Sequence, residues 1–246
     1  MITAVFAFLF RRGIRGASIL PRGDETISRV NSNMEALELG RPISPTRDQD
    51  VFAYRAEVKL RTFLGALRYK LEIGDFPGED TVAFAEQYGD WLHRTNYFEW
   101  AISADAFVFV IDAGAVYEDS SGEYVARQKS ALRAVWQRLQ EHHLEGRSDL
   151  RRKPLILAFA KADLLLQRVD SRSYVPEPEL IVAIDRAKER MMYRFADLID
   201  YLRRESDRFE VILTSVICNI DGERLGVPTI AKHLMPRTNL FPSYFK

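Results

Sequence analysis

The chain has 246 residues, of which 47% are hydrophobic and 28% charged, a composition typical of a globular protein long enough for one large domain. Lysine plus arginine and aspartate plus glutamate both number 35, so the formal net charge is zero and does not indicate nucleic acid or anionic lipid as a partner. The single cysteine, Cys218, excludes an internal disulfide and is consistent with a reducing compartment, so we predict a cytoplasmic protein.

The first half of the chain predicts a helix, a long loop and a hairpin. Residues 2–10 form an apolar run far shorter than the roughly 20 residues of a membrane-spanning helix. Arginines follow this run, whereas a signal peptide has its positive charge before it. We therefore predict a buried helix over residues 2–12 and no membrane span. Residues 13–50 are rich in turn-forming residues, which predicts a long, mostly irregular stretch. Residues 51–61 alternate apolar and polar side chains and predict a strand that forms an antiparallel hairpin with residues 68–76.

The second half alternates strand and helix patterns. Three continuous apolar runs are typical of strands buried on both faces of a parallel sheet, at residues 105–114, 153–165 and 209–219. Helices are predicted around these strands, over residues 79–104, 123–143, 179–206 and 227–235. The alternation predicts an α/β fold with a doubly wound, mostly parallel sheet, helices on both faces and one antiparallel hairpin at its edge. We predict that residues 1–246 form a single domain.

Polar residues interrupt the apolar strands only where the strands end. They are Asp75, Asp112, Lys161, Asp163, Thr214 and Ser215. Because ligands of doubly wound sheets bind at the carboxyl ends of the strands, these residues are candidates for a single site along one edge of the sheet.

Four short motifs fall on these strand ends. Residues 75–78 fit a D-x-x-G loop, and residues 160–163 fit an N-K-x-D loop whose first residue is changed to alanine. Residues 214–216 fit the short loop after the next strand, and the Pro-Thr pair at 45–46 fits the threonine of a first switch loop. In this order the chain resembles a GTPase of the P-loop class over most of residues 45–235. Within that class it is similar to the bacterial double-GTPase families and other large Ras-like domains.

The resemblance implies a site for the base of a guanine nucleotide, GTP or GDP. The carboxylate of Asp163 would accept hydrogen bonds from the two N–H groups on the guanine edge, and adenine offers no such pair. The aliphatic stem of Lys161 would lie along the face of the base. Main-chain N–H groups near Ser215 and Val216 would meet the guanine carbonyl oxygen.

The resemblance also implies a magnesium and γ-phosphate site. Asp75 would hold the shell of Mg²⁺ through water, because magnesium keeps most of its waters. Thr46 would reach the metal only with triphosphate bound. The amide of Gly78 would meet the γ-phosphate, since glycine allows close approach of the backbone. Glu79 takes the place of the water-positioning glutamine and is the candidate catalytic residue.

Two departures from the family pattern leave the function open. Ala160 replaces the asparagine that ties the base loop to the phosphate loop, and no G-x-x-x-x-G-K-[ST] motif occurs in the sequence. One interpretation is a truncated chain, in which residues 1–50 hold the remaining first helix and a switch-like loop, and which hydrolyses GTP only with an upstream phosphate loop. The alternative is a degenerate pseudo-GTPase that acts as a protein-interaction module.

One further expectation concerns a protein partner, and another concerns the nucleotide. Residues 76–100 follow the D-x-x-G loop and are rich in aromatic side chains, so this switch-like region is a candidate surface for a protein partner. An ATP-using relative of the P-loop class is a third, weaker interpretation. It would not share the guanine preference that Asp163 implies.

Overall fold

The computed structural model describes residues 2–11, 17–39, 52–62, 65–75, 101–143, 147–166, 177–220 and 223–234. The helices of this part are α1 (Ile2–Arg11), α2 (Asp24–Glu38), α3 (Ala113–Glu118), α4 (Glu123–His142), α5 (Arg147–Arg152), α6 (Glu177–Arg194), α7 (Ala196–Glu205) and α8 (Val227–Leu234). The strands are β1 (Ala17–Pro21), β2 (Phe52–Thr62), β3 (Gly65–Asp75), β4 (Phe107–Asp112), β5 (Leu155–Ala160), β6 (Phe209–Leu213), β7 (Asn219–Ile220) and β8 (Glu223–Arg224).

The chain divides into two compact units. One unit comprises Met1–Pro77 with Val227–Lys246, and the other comprises residues 78–226. The single domain over residues 1–246 stays a prediction from the sequence.

The first unit is built on an antiparallel sheet with strand order β1-β2-β3. Strands β2 and β3 pair along their whole length, from Phe52 opposite Asp75 to Thr62 opposite Gly65, so the predicted hairpin is confirmed. Buried and less buried residues alternate along β2, as expected of a strand with one covered face. The ring of Tyr54 is fully buried and lies 5.3 Å, centroid to centroid, from that of Phe6 in α1.

Residues 13–50 were predicted to be mostly irregular, and this was wrong for part of the stretch. Strand β1 pairs antiparallel with β2, and α2 follows it after a short turn. Thr26, Val30 and Met34 are buried and recur every four residues, which places them on one face of α2. The prediction rested on the many turn-forming residues of this stretch and did not take the helical period of its apolar residues into account.

The second unit contains a parallel sheet with strand order β4-β5-β6. The register sets Phe107 beside Leu155 and Leu155 beside Phe209. The central strand β5 is buried from its first residue to Phe159, which explains its continuous apolar sequence. Trp136 of α4 is fully buried and meets Phe107 and Phe109 edge-on, at centroid distances of 5.6 and 6.2 Å.

The helix predicted over residues 179–206 is two helices, α6 and α7, separated at Phe195. The backbone of Phe195 leaves the helical region, with φ −111° and ψ 17°. Its ring is fully buried and meets Phe159 edge-on at 5.2 Å. Phe195 N donates to Met191 O at 3.1 Å and Ile199 N donates to Phe195 O at 2.9 Å, so the two helices are separated by the backbone angles of one residue and not by a gap in hydrogen bonding.

The strand predicted over residues 209–219 ends earlier, at Leu213. Beyond it, β7 and β8 pair in a small antiparallel hairpin. Gly226 follows this hairpin with a φ of 72°, and a Cβ atom there would lie 2.2 Å from the carbonyl oxygen of Leu213. Only glycine allows the chain to pass so close to the end of β6.

The structure is thus a mixed α/β fold that contains a parallel sheet, in agreement with the predicted class. In the described ranges β1, β2 and β3 form a sheet separate from β4, β5 and β6, so a doubly wound sheet with the hairpin at its edge stays a prediction. None of the helices in these ranges has the length and apolar character needed to cross a membrane.

Candidate functional site

The carboxyl ends of β4, β5 and β6 lie at one edge of the parallel sheet and include, or are followed by, the polar strand-end residues Asp112, Lys161, Asp163, Thr214 and Ser215. Asp112 is the last residue of β4 and is in register with Ala160, the last residue of β5. Phe159 is in register with Leu213, the last residue of β6. Because the three strands are parallel and in register, the loops that follow them start side by side.

The loop after β5 begins with an unusual backbone conformation. Lys161 has a φ of 58° and a ψ of 36°, the left-handed region, and it is the sole non-glycine residue of the described ranges with positive φ. A short 3₁₀ helix, Ala162–Leu164, follows it. Main-chain hydrogen bonds hold this loop to β6, since Thr214 N donates to Phe159 O at 2.9 Å and Ala162 N donates to Thr214 O at 3.1 Å.

Asp163 and Ser215 join the loops after β5 and β6. The hydroxyl of Ser215 donates to Asp163 Oδ1 at 2.5 Å. The same hydroxyl oxygen accepts from the main-chain N–H groups of Ile217 at 3.1 Å and Cys218 at 3.0 Å. Ser215 is buried, whereas Asp163 is half-buried. Its other oxygen, Oδ2, has no hydrogen-bond partner within the ranges that the structure describes. The hydrogen bond from Ser215 therefore fixes the direction of this carboxylate.

Asp112 and Lys161 join the end of β4 to the same loop. Asp112 Oδ1 caps α3 by accepting from Gly114 N at 2.9 Å and Ala115 N at 3.2 Å. Lys161 Nζ lies 2.5 Å from Asp112 Oδ2, with the lysine side chain 63% exposed and the aspartate 30% exposed. The hydrogen bond to Asp112 raises the pKa of Lys161 above its ordinary value, so the ammonium group is charged at neutral pH.

Two buried groups lie close to these loops. The hydroxyl oxygen of Thr214 is buried without a hydrogen-bond partner in the described part of the chain. The thiol of Cys218 is also buried, and burial raises its pKa, with a smaller contribution from the charge of Asp163. A thiol with a raised pKa is a poor nucleophile near neutral pH, so Cys218 is a packing residue.

The four residues predicted for the base site lie in the two loops that follow β5 and β6. Lys161, Asp163 and Ser215 are held by the contacts above, and Val216 occupies the bend directly after Ser215, where it is half-buried. Lys161 reaches toward β4 and Asp163 toward β6, so the loop after β5 is held from both sides.

The other predicted site residues are not tested. Thr46, Gly78 and Glu79 lie outside the described residues. Asp75 is the last residue of β3, opposite Phe52, and its side chain also lies outside the described part. The magnesium, γ-phosphate and catalytic roles given to these four residues stay predictions. In the ranges that the structure describes, no group of three or more His, Cys, Asp or Glu residues could hold a metal ion.

Asp112 was predicted from the sequence only as one of the polar strand ends that line the candidate site, and its contact with Lys161 was not predicted. The available signal was an aspartate that ends an apolar strand and directly precedes a helix, the position of an N-cap.

Comparisons with known proteins give one distant likeness. No family model matches the sequence, and no curated protein matches it. The structure is similar to that of the LeoA bacterial dynamin GTPase from ETEC, with a TM-score of 0.40 and 14% sequence identity. The likeness covers 85% of this chain and 34% of that chain, so this chain spans about a third of the length of LeoA.

Proposed function

We propose that the edge formed by Asp112, Lys161, Asp163 and Ser215 binds the base of a guanine nucleotide. The observation that carries this proposal is the hydrogen bond from Ser215 to Asp163, 2.5 Å long. It fixes the direction of a carboxylate at the end of a parallel sheet, where ligands of such sheets bind. The chain would then be a GTPase-like domain.

The chemistry of Asp163 favours guanine over adenine. Guanine presents two adjacent N–H donors along one edge, and a carboxylate is an acceptor on both oxygens. Adenine presents one donor and one acceptor along that edge, so its ring nitrogen would face the carboxylate as a second acceptor. A site built to satisfy a polar edge rejects a ligand that leaves it unpaired by as much as about 10⁴-fold.

The proposal includes hydrolysis of GTP only if a phosphate loop and Mg²⁺ are also present. Transfer of the γ-phosphoryl group to water depends on positioning and on charge neutralisation by a phosphate loop and Mg²⁺. Asp75, Thr46 and Gly78 would serve the metal and the phosphate, and Glu79 would orient the water. The motif of a phosphate loop does not occur in the printed sequence, so base recognition is the part of the proposal that this chain can test alone.

A second candidate is a pseudo-GTPase that serves as a protein-interaction module and binds no nucleotide. Ala160 favours this candidate, because its methyl group offers no hydrogen bond at the end of β5, beside the proposed base. The first candidate predicts guanine-nucleotide binding by the 246-residue chain, and the second predicts none.

The deciding experiment is calorimetric titration of the chain with GDP, GTP and ATP in magnesium buffer, supported by thermal melts. We expect GDP and GTP to bind and to raise the Tm, and ATP to do neither, since a ligand of the native state stabilises it. A cooperative melt that no guanine nucleotide shifts, together with no heat of binding, would overturn the proposal in favour of the interaction module.

Asp163→Asn tests the assignment of specificity. Asparagine offers one acceptor and one donor, which suits xanthine, because xanthine has a carbonyl oxygen where guanine has its amino group. We expect GDP affinity to fall by about 100-fold or more and xanthosine diphosphate to bind better than to the wild type. Asp200→Asn is the matched control, since Asp200 is an exposed carboxylate of α7 whose partner is Arg203. Equal GDP affinity in the Asp163 and Asp200 variants would remove Asp163 from the site.

A further inference from the structure

We propose that Asp112 is a positioning residue of the guanine site, which acts by holding Lys161 in place beneath the base. This inference rests on the proposed function. It adds a residue that does not itself contact the nucleotide, together with the route by which it acts.

The backbone of Lys161 shows why this side chain needs an anchor. A residue with a Cβ atom avoids the left-handed region, which is costly for any L-amino acid other than glycine. Such a conformation persists only where the surrounding structure determines it, and it is typical of functional positions. The ion pair with Asp112 and the main-chain hydrogen bond from Ala162 to Thr214 fix the residue and its neighbour.

The register of the sheet explains why the anchor comes from β4. Asp112 lies directly beside Ala160, and the methyl group of Ala160 makes no polar contact with the neighbouring strand. The polar tie between the loop after β5 and the end of β4 is made one residue later, through Lys161. The ion pair directs the lysine side chain toward the end of β4, while Asp163 is held by Ser215 in the loop after β6.

A lysine stem held in this way is a preorganised surface for a flat ring. Ordering a long side chain at a binding site costs free energy, and a side chain ordered before binding has met that cost already. Without Asp112, the ammonium group would have several rotamers, and GDP would have to select one of them.

The two carboxylate oxygens of Asp112 have separate contacts, and this makes the inference testable. Oδ1 caps α3 and Oδ2 accepts from Lys161. Asparagine is as good an N-cap as aspartate, so Asp112→Asn keeps the cap and removes the charge. Asp112→Ser also keeps a cap and shortens the side chain, and it serves as a second variant.

The chain provides a matched control at the opposite end of the same two strands. Asp105 precedes β4 and Lys153 precedes β5, and their charged groups lie 3.9 Å apart. Asp105→Asn therefore removes a second aspartate–lysine ion pair between the same strands, far from the carboxyl edge. Asp105 is fully exposed, and the buried ammonium group of Lys153 keeps its hydrogen bond to the main-chain oxygen of Ala104, at 2.9 Å, when this carboxylate is removed.

The first measurement is the affinity for GDP of the wild-type chain and of the Asp112→Asn and Asp105→Asn variants. Exposed ion pairs are worth at most about 1 kcal/mol, which corresponds to about fivefold in affinity. We expect Asp112→Asn to weaken GDP binding by about fivefold and Asp105→Asn to leave it unchanged, with the Tm of both close to that of the wild type.

The second measurement separates positioning from a general structural effect. Lys161→Met keeps an apolar stem and removes the ammonium group, so Asp112 has nothing left to hold. In this background we expect Asp112→Asn to cause no further loss of GDP affinity, a non-additivity typical of residues that act through one contact. An equal loss in both backgrounds would show that Asp112 does not act through Lys161, and would overturn the inference.

The outcomes distinguish this inference from the function on which it rests. Absence of GDP binding by the wild type would overturn both. GDP binding that is equal in the wild type and in the Asp112→Asn and Asp112→Ser variants would overturn the role of Asp112 alone, and would leave the guanine site standing.

Discussion

The guanidinium group of Arg194 contacts both the main-chain oxygen and the carboxylate of Asp119. The guanidinium of Arg194, the last residue of α6, donates to the main-chain oxygens of Val116 and Asp119, the latter at 2.8 Å. It also lies 3.4 Å from the carboxylate of Asp119, whose side chain is only 5% exposed. Three donors complete the surroundings of this carboxylate: Gly122 N at 2.9 Å, Val125 N at 3.0 Å and the hydroxyl of Ser121 at 3.0 Å. These contacts join the turn between α3 and α4 to the end of α6.

Removal of the arginine should destabilise the protein. Arg194→Met keeps much of the apolar stem and leaves two main-chain oxygens and a carboxylate without their charged donor. Hydrogen bonds to charged groups contribute roughly 1.5–3 kcal/mol, so we expect the free energy of unfolding to fall by about 2 kcal/mol. Urea unfolding measures this change. Arg203→Met is the control, because in the described ranges Arg203 makes only an exposed ion pair within α7 and should change the free energy of unfolding by less than about 0.5 kcal/mol. Equal losses in the two variants would contradict a stabilising role for the contacts of Arg194 with Val116 and Asp119.

The same site predicts a pH dependence. The hydrogen bond from Val125 N, with those from Ser121 and Gly122 and the charge of Arg194, lowers the pKa of Asp119 below its ordinary value of 3.8. A carboxyl group whose pKa is lower in the folded state stabilises the fold above its unfolded pKa. This contribution is lost as the pH falls through the folded pKa.

Asp119→Asn tests this linkage, because asparagine keeps side-chain contacts to the turn and does not titrate in this range. We expect the Tm of the variant to lie below that of the wild type near neutral pH. The gap should close as the pH falls below about 4, where the unfolded carboxyl group takes up its proton. A gap that stays constant from neutral to acidic pH would show that the charge of Asp119 does not contribute.

Two glycines with nearly the same backbone conformation should differ in their tolerance of alanine. Gly226 and Gly122 have φ values of 72° and 80°. A Cβ atom at Gly122 would meet open space, whereas at Gly226 it would lie 2.2 Å from Leu213 O and 2.9 Å from the side chain of Ile212. Gly122→Ala should therefore cost only the backbone strain, about 1 kcal/mol.

Gly226→Ala adds displacement of the end of β6 to the same strain. We expect it to lower the free energy of unfolding by at least about 2 kcal/mol more than Gly122→Ala does. Chemical denaturation of the two variants side by side gives the comparison. Similar values would mean that the chain around Leu213 yields without cost.

The parallel sheet could be predicted from the sequence because its central strand is buried on both faces. Leu155, Ile156, Leu157, Ala158 and Phe159 are all fully buried, so the sequence between two polar stretches is wholly apolar, and few structures other than a central strand require this. The helix break at Phe195 could not be predicted in the same way. The apolar period continues through residue 195, and the sequence there has neither glycine nor proline, so no local signal marks the change in backbone angles.

Which polar residues lie at the carboxyl edge of the parallel sheet could be predicted from the sequence, but their contacts could not. Polar side chains at strand ends are visible in the sequence, and parallel strands bring them to one edge. The partner of Lys161 depends on a left-handed backbone that lysine has no intrinsic preference for, so the sequence carries no local sign of it. The pairing of Ser215 with Asp163 likewise depends on the register of β5 and β6.

The hydroxyl of Ser215 has a single proton, and its two lone pairs are already taken by the amides of Ile217 and Cys218. That proton can therefore point in one direction only, toward Asp163. The turn at 215–218 and the aim of the Asp163 carboxylate form together, because the same oxygen atom serves both. If this turn opens, the carboxylate loses its direction while β5 and β6 remain paired. Recognition of a base at this edge would then fail by fraying of four residues, long before the protein unfolds.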